Sequence, residues 1–309
     1  MKSKPYDPMW HDVELPLAGT YYPLGFRVTL RTNSQEVQAA AAESWGWYGL
    51  EFDRPPVEVR IIVREQGDLA PEPAFLTQGH LLTIVSDRDN FASADLRALF
   101  SYAFVSARTA ADHAWLRWFF LEPMVYFLLA QSYTTPVHAA CVAKEGRGIL
   151  LSGLSGAGKS TLAFACARAG WTFVADDATA LRIAIGKPHQ ARVRDDAPRL
   201  FPELEGFCTS ARPNGKLSIE IPLDAFAHIQ TALHCRIETI VFLDRRPGTP
   251  GLQNVPAEEV AAAFLADMPS YGDEVRARNE RVVGRLSQLP AYRLRYERLA
   301  DALQLLEGL

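Results

Sequence analysis

The chain has 309 residues, 48% of them hydrophobic and 22% charged, which is apolar material enough for a substantial core and excludes a chain held open by its own charge. Lys and Arg number 32 against 36 Asp and Glu, a formal net charge of −4, and no block of consecutive basic residues occurs. That balance argues against a nucleic-acid or membrane-surface partner. By length the chain holds one large or two ordinary domains.

The first residues, Met1 to Pro8, lead into no apolar signal-peptide core, and a cytoplasmic protein is expected. Residues 25–32 and 57–65 alternate apolar with polar positions, as half-buried strands do. Between them the stretch from Ser34 to Trp45 is alanine-rich behind a Ser34 N-cap, giving strand, helix and strand in a small α+β unit. Leu81 to Val85 reads as another strand, and residues 95–107 and 115–131 read as helices, the second broken at Pro123. The 115–130 stretch is the most hydrophobic of the chain, but Arg117, Glu122 and Pro123 within it argue against a membrane span. No catalytic motif falls in residues 1–130, which are assigned to an N-terminal α+β region. Residues 131–309 are assigned to a second, α/β domain.

That second region opens with His138 to Val142, a turn over Lys144 to Arg147, and the apolar run Gly148 to Ser152, which reads as a buried strand. Then comes Gly153-Leu-Ser155-Gly156-Ala157-Gly158-Lys159-Ser160-Thr161, the pattern G-x-x-x-x-G-K-S followed by threonine. Its glycines let the backbone fold so tightly that successive N–H groups face one anion. A helix from Lys159 or Ser160 to Ala169, closed by Gly170, adds its positive end, while Lys159 neutralises phosphate charge and Ser160 can ligate magnesium. Residues 153 and 155–161 are therefore candidate nucleotide ligands, with ATP and Mg2+ the expected cofactors.

Trp171 to Ala175 reads as a strand ending in Asp176 and Asp177. Ligand chemistry collects at the carboxyl ends of parallel strands, which directs this acid pair toward the loop. Adjacent residues on extended backbone point to opposite faces, so one acid suits a metal or water and the other a proton.

Further along, Asn214-Gly215 is a strong turn signal ahead of a strand alternating at Leu217, Ile219 and Ile221. Arg212 and Lys216 flank the turn and can reach a substrate phosphate. Ile237 to Leu243 is a buried-strand run, Pro256 to Asp267 a helix, Tyr292 to Tyr296 a last strand, and a helix follows from Leu299. Arg276, Arg278, Arg281 and Arg285, interrupted by Glu280, read as a solvated helix face. The four cysteines, at 141, 166, 208 and 235, have no C-x-x-C spacing and read as buried reduced thiols.

The segment from His138 to Leu181 resembles the catalytic domain of the HPr kinase/phosphorylase family. A histidine, a hairpin, a G-x-S-G-x-G-K-S loop and an A-D-D strand end occur there in the order found here. The resemblance implies a phosphate-loop kinase domain of the HPr kinase / PEP carboxykinase type over 131–309. It implies that Lys159 holds the β- and γ-phosphates, Ser160 binds magnesium, Asp177 accepts the proton and His138 assists. A second metal carboxylate of that family is matched by Glu203 or Glu205, with Asp176 completing the metal set. Homo-oligomeric assembly is likewise implied. The sequence departs from the family in Ser160-Thr161 after the loop lysine, and in lacking the arginine- and glycine-rich signature tied to phosphorylase activity, so reverse phosphorolysis is not expected. The expected activity is ATP- and Mg2+-dependent phosphoryl transfer to a hydroxyl, foremost a serine of a peptide or small protein. A small-metabolite hydroxyl kinase, and a nucleotide sensor that transfers nothing, are the alternatives.

Overall fold

The computed structural model describes residues 14–176, 179–180, 183–186, 188–211, 217–268 and 272–309. It divides after Tyr133 into two compact units, both of mixed α/β character.

The first unit is built on seven strands, β1 (Leu17–Tyr21), β2 (Phe26–Thr32), β3 (Phe52–Arg64), β4 (Ala74–Gln78), β5 (Leu81–Val85), β6 (Phe91–Asp95) and β7 (Phe100–Ser106). They lie in the order β1-β2-β3-β7-β6-β5-β4. The central pairs β2/β3 and β3/β7 are parallel and the outer ones antiparallel. Strand, helix and strand follow in the expected order, and helix α1 (Gln35–Trp45) crosses between β2 and β3, which pair in parallel. It buries Val37, Ala40, Ala41 and Trp45. Ser34 stands at its N-cap position, but the side chain makes no capping bond.

The helix expected over 95–107 does not form. Up to Ser106 the stretch is the turn into β7 and β7 itself, where Phe100, Tyr102 and Phe104 alternate with buried Ser101, Ala103 and Val105, a period of two. Asp95 Oδ1 accepts the backbone N–H groups of Arg97 and Ala98 at 2.8 and 3.3 Å, and Leu99 takes a positive φ of 51°. This local carboxylate bonding diverts the chain from the helix its composition favours. The short helices α2 (Ala107–Ala111) and α3 (His113–Leu116) then lead through a π-turn (Arg117–Leu121) into α4 (Glu122–Ser132). Pro123 does not break the run, because it falls in the first turn of α4 directly after the π-turn.

The second unit contains the strands β8 (Thr135–Pro136), β9 (Ala139–Lys144), β10 (Arg147–Ser152), β11 (Thr172–Ala175), β12 (Thr179–Ala180), β13 (Ile183–Ile185), β14 (Gln190–Arg194), β15 (Thr209–Ala211), β16 (Leu217–Pro222), β17 (Gln230–Thr231), β18 (His234–Arg245), β19 (Gly251–Asn254) and β20 (Ala291–Tyr296). Its helices are α5 (Lys159–Arg168), α6 (Ala257–Ala266), α7 (Asp273–Leu286) and α8 (Leu299–Glu307). The main sheet runs β17-β11-β9-β10-β18. Beyond β18, β13 pairs with its first half and β20 with its second. β10 is parallel to β18, and β18 to β20, whereas β9 is antiparallel to both β10 and β11. The turn joining β9 to β10 is the two-residue Glu145-Gly146, with φ of 52° and 79°, the positive pair that a tight hairpin requires.

Side chains alternate across this sheet into two cores. Ala140, Val142, Ile149 and Leu151 face α5, α8 and a separate three-stranded sheet, β14-β16-β15. Cys141, Ala143 and Leu150 face α6 and α7. On the first side Phe164 of α5 is fully buried, edge-on to Phe201 at 5.0 Å and to Phe226 at 5.8 Å between ring centres. Burying one such ring stabilises the unit by about 2–3 kcal/mol, so α5 is pinned between the two sheets. Three of the four cysteines are buried as expected, but Cys208 is exposed. Among the described residues, no helix is long and apolar enough to cross a membrane.

Candidate functional site

Strand direction decides what meets at one edge of the main sheet. β10, β11, β18 and β20 all end there, and the antiparallel β9 begins there, with Ala139 opposite Ser152. His138 precedes β9 rather than lying within a strand, and it is exposed at that edge. Its register places it between the tip of β10, which feeds the glycine-rich loop, and the tip of β11, which ends at Asp176.

The loop after β10 turns sharply into α5. Gly156 and Gly158 hold φ of 90° and 96°, a left-handed geometry that a side chain would strain, and Gly158 serves as the N-cap of α5. The bond from Leu162 N–H to the Gly158 carbonyl, 2.8 Å, closes the first helical turn. The N–H groups of that turn therefore point out of the helix end, toward the loop. Lys159 is only 8% exposed, and its ammonium donates to the carbonyls of Gly153 at 2.8 Å and Leu154 at 3.4 Å.

Around this loop opens a cleft of about 580 Å³. Ser155, Gly156, Gly158, Lys159, Ser160 and Thr161 line it, together with His138 and Asp176. Gly153 and Ala157 belong to the loop without lining the cleft. Thus the residues singled out in two separate motifs converge on one hollow. Asp177, Arg212 and Lys216, and with them the Asn214-Gly215 turn, lie outside the described residues.

Glu203 does not join them. It sits on a short 3-10 turn (Pro202–Leu204), where its carboxylate pairs with Arg168 Nε at 2.5 Å. Arg168 is the last residue of α5, at the end remote from the loop, so Glu203 leaves the candidate metal set. Glu205 follows the same turn and does not line the cleft either. Among the described residues there is no cluster of three or more His, Cys, Asp or Glu side chains able to hold a metal ion. A magnesium ion at this site would need phosphate oxygens in addition to Ser160 and Asp176.

The far wall of the cleft was not legible from motifs. It consists of Arg192 to Ala197, from the end of β14 and the turn beyond it, with Leu217 and Ser218 of β16, and Arg245 at the tip of β18. A hydrogen bond and an ion pair fix that wall: the backbone N–H of Arg192 donates to Asp176 Oδ2 at 2.8 Å, and the Arg192 guanidinium pairs with Glu220, Nε 2.8 Å from Oε1. Asp176 therefore ties the three-stranded sheet to the tip of β11. Below the loop, Tyr296 is fully buried, its hydroxyl 3.3 Å from where a side chain on Gly158 would begin. Burial raises that phenol to about 12.

A family model described as SynChlorMet cassette protein ScmC matches residues 105–297, well over half of the chain. The chain belongs to the ScmC family. No curated protein matches it. Among solved structures, it is similar to the Hpr(Ser) kinase/phosphatase from Coxiella burnetii, with 14% identity and a TM-score of 0.30, over 56% of this chain and 95% of that one. The ScmC match begins within β7 of the first unit and runs through all of β20, so it includes every described cleft residue.

Proposed function

We propose that this member of the ScmC family is an ATP- and Mg2+-dependent kinase whose second unit is a phosphate-loop domain, transferring the γ-phosphoryl group to a hydroxyl, foremost a serine of a peptide or small protein. One observation carries the reading: the glycine-rich loop with its buried Lys159, the exposed His138 and the strand-end Asp176 share one cleft, although they come from three strand ends. The donor set suits the guest. Loop amides and the N-terminal end of α5 favour a polyanion, and Lys159 already stands within the loop as its countercharge.

Each residue then has a task that its position allows. The loop amides bind and orient the phosphates, and Lys159 spreads charge from the group in transfer. Ser160 and Asp176, with phosphate oxygens, would hold a magnesium ion, which would supply further charge neutralisation. Asp177, the next residue in the chain, is assigned as acceptor of the hydroxyl proton. A carboxylate is too weak a base to ionise a serine outright, so it holds the hydroxyl in line and takes the proton late. His138, exposed beside the loop, orients that hydroxyl.

The direct test is incubation of the full chain with ATP, magnesium and candidate serine peptides, read by mass spectrometry for a phosphorylated product. Asp177→Asn is expected to bind nucleotide and transfer nothing, while Lys159→Ala loses both. Nucleotide binding without transfer to any hydroxyl acceptor would leave a sensor in place of a kinase.

A further inference from the structure

Arg192 and Arg194 project from the same side of β14, since they are two residues apart, while Ala191 and Val193 on the other side are buried in the core beside α5. Arg192 is matched by Glu220, but among the described residues no carboxylate pairs with Arg194. Its guanidinium lies against the loop instead: Nη2 is 2.6 Å, and Cζ 3.6 Å, from the point where a side chain on Gly156 would begin. Arg194 can approach so closely because residue 156 has no Cβ. The strand that delivers it is held in place by five paired positions with β16, and by the bond from Arg192 N–H to Asp176. Two cations thus flank the loop, Lys159 buried within it and Arg194 exposed over its rim.

We propose that Arg194 reads the terminal phosphate of the bound nucleotide, distinguishing a triphosphate from a diphosphate. This rests on the cleft being a nucleotide site. The loop amides grip the inner phosphates, and Lys159 reaches from the β- to the γ-phosphate from within the loop. The outermost group carries the most negative charge, and it meets the planar, five-donor guanidinium suited to two-point phosphate binding. No motif identifies Arg194, because it comes from a different sheet and is brought to the loop by the packing of β14 on α5.

Calorimetric titration of the full chain, with magnesium and either ADP or a non-hydrolysable ATP analogue, tests this without any phosphate acceptor. The unsubstituted protein is expected to favour the triphosphate analogue by on the order of tenfold or more, the scale of a charge-assisted hydrogen bond. Arg194→Ala should cut that preference severalfold and leave ADP affinity unchanged, while Arg194→Lys keeps more of it. Should Arg194→Ala fold poorly by circular dichroism, Arg194→Gln makes the same comparison. An unaltered preference, or an equal loss toward both nucleotides, overturns the proposal but not the nucleotide site. If the unsubstituted protein binds neither ligand, both readings fall.

Discussion

Asp176 has a structural role in the fold and a proposed one as magnesium ligand, and substitution can separate them. Its Oδ2 accepts the Arg192 backbone N–H at 2.8 Å in a partly buried setting, and the pairing anchors one sheet to the tip of another. A hydrogen bond to an ionised group contributes about 2 kcal/mol net, and its loss also strands an N–H that the fold has turned from solvent. For a unit of this size, 1 kcal/mol moves the melting temperature by about 2–4 °C, so Asp176→Ala should lower the transition of the second unit by about 4–8 °C. Asp176→Asn keeps an oxygen acceptor at the same place without the charge and should recover roughly half of that loss. Differential scanning calorimetry of the full chain without nucleotide gives the comparison, with circular dichroism checking that each variant folds. The same proteins titrated with magnesium and an ATP analogue report the second role, where the asparagine variant should be as weak as the alanine one, because charge is what the metal requires. Unchanged melting in Asp176→Ala would show that the bond to Arg192 anchors nothing.

Other groups give equally definite expectations. Tyr296 keeps a fully buried hydroxyl with no hydrogen-bond partner among the described residues, so Tyr296→Phe should leave thermal stability unchanged or raise it; a clear drop in melting temperature would reveal a partner. In the first unit, His113 donates from Nδ1 to Glu43 at 2.6 Å and from Nε2 to Glu36 at 2.8 Å, and the bond to Glu43 leads in raising its pKa. Its folded value lies above the unfolded one, near 6.5, so its stabilisation is complete below about pH 6.5 and fades as pH rises through the folded value. Melting of the first unit should fall over that rise, and His113→Gln should flatten the dependence; an identical slope in the variant argues against it. Only Cys208 is exposed, so a thiol reagent should label it in the native protein and all four cysteines after denaturation, with intact-mass measurement counting the adducts.

How much of this could be read from the chain differs by residue, for physical reasons. The loop at 153–161 and the strand ending at Asp176 announce themselves because backbone constraint and residue pattern coincide there: glycines where φ is positive, followed by a lysine and a serine in phosphate-loop spacing. The succession of β2, α1 and β3 was legible from alternation in the strands and the alanine-rich run behind Ser34, whereas their parallel pairing was not. Residues 95–107 carry a helical composition because alanine and leucine favour helix locally, but pairing across β6 and β7 and the Asp95 side chain on its neighbours' amides decide otherwise. Glu203 illustrates the limit of matching by residue type, since its partner Arg168 is set by tertiary packing. Arg192 to Asp196 could not be anticipated at all. They carry no motif, and they reach the cleft only because β14 pairs with β16 and packs its other side on α5.

The antiparallel course of β9 has a consequence for how such a protein can diversify. Because it lets His138, the glycine-rich loop and Asp176 be drawn from one uninterrupted stretch of chain, the floor of the cleft is inherited as a block, while its facing wall is a separate small sheet that presents its other side to α5. Exchange of residues in that wall can therefore retune what is admitted beside the loop without disturbing the strand alignment beneath it.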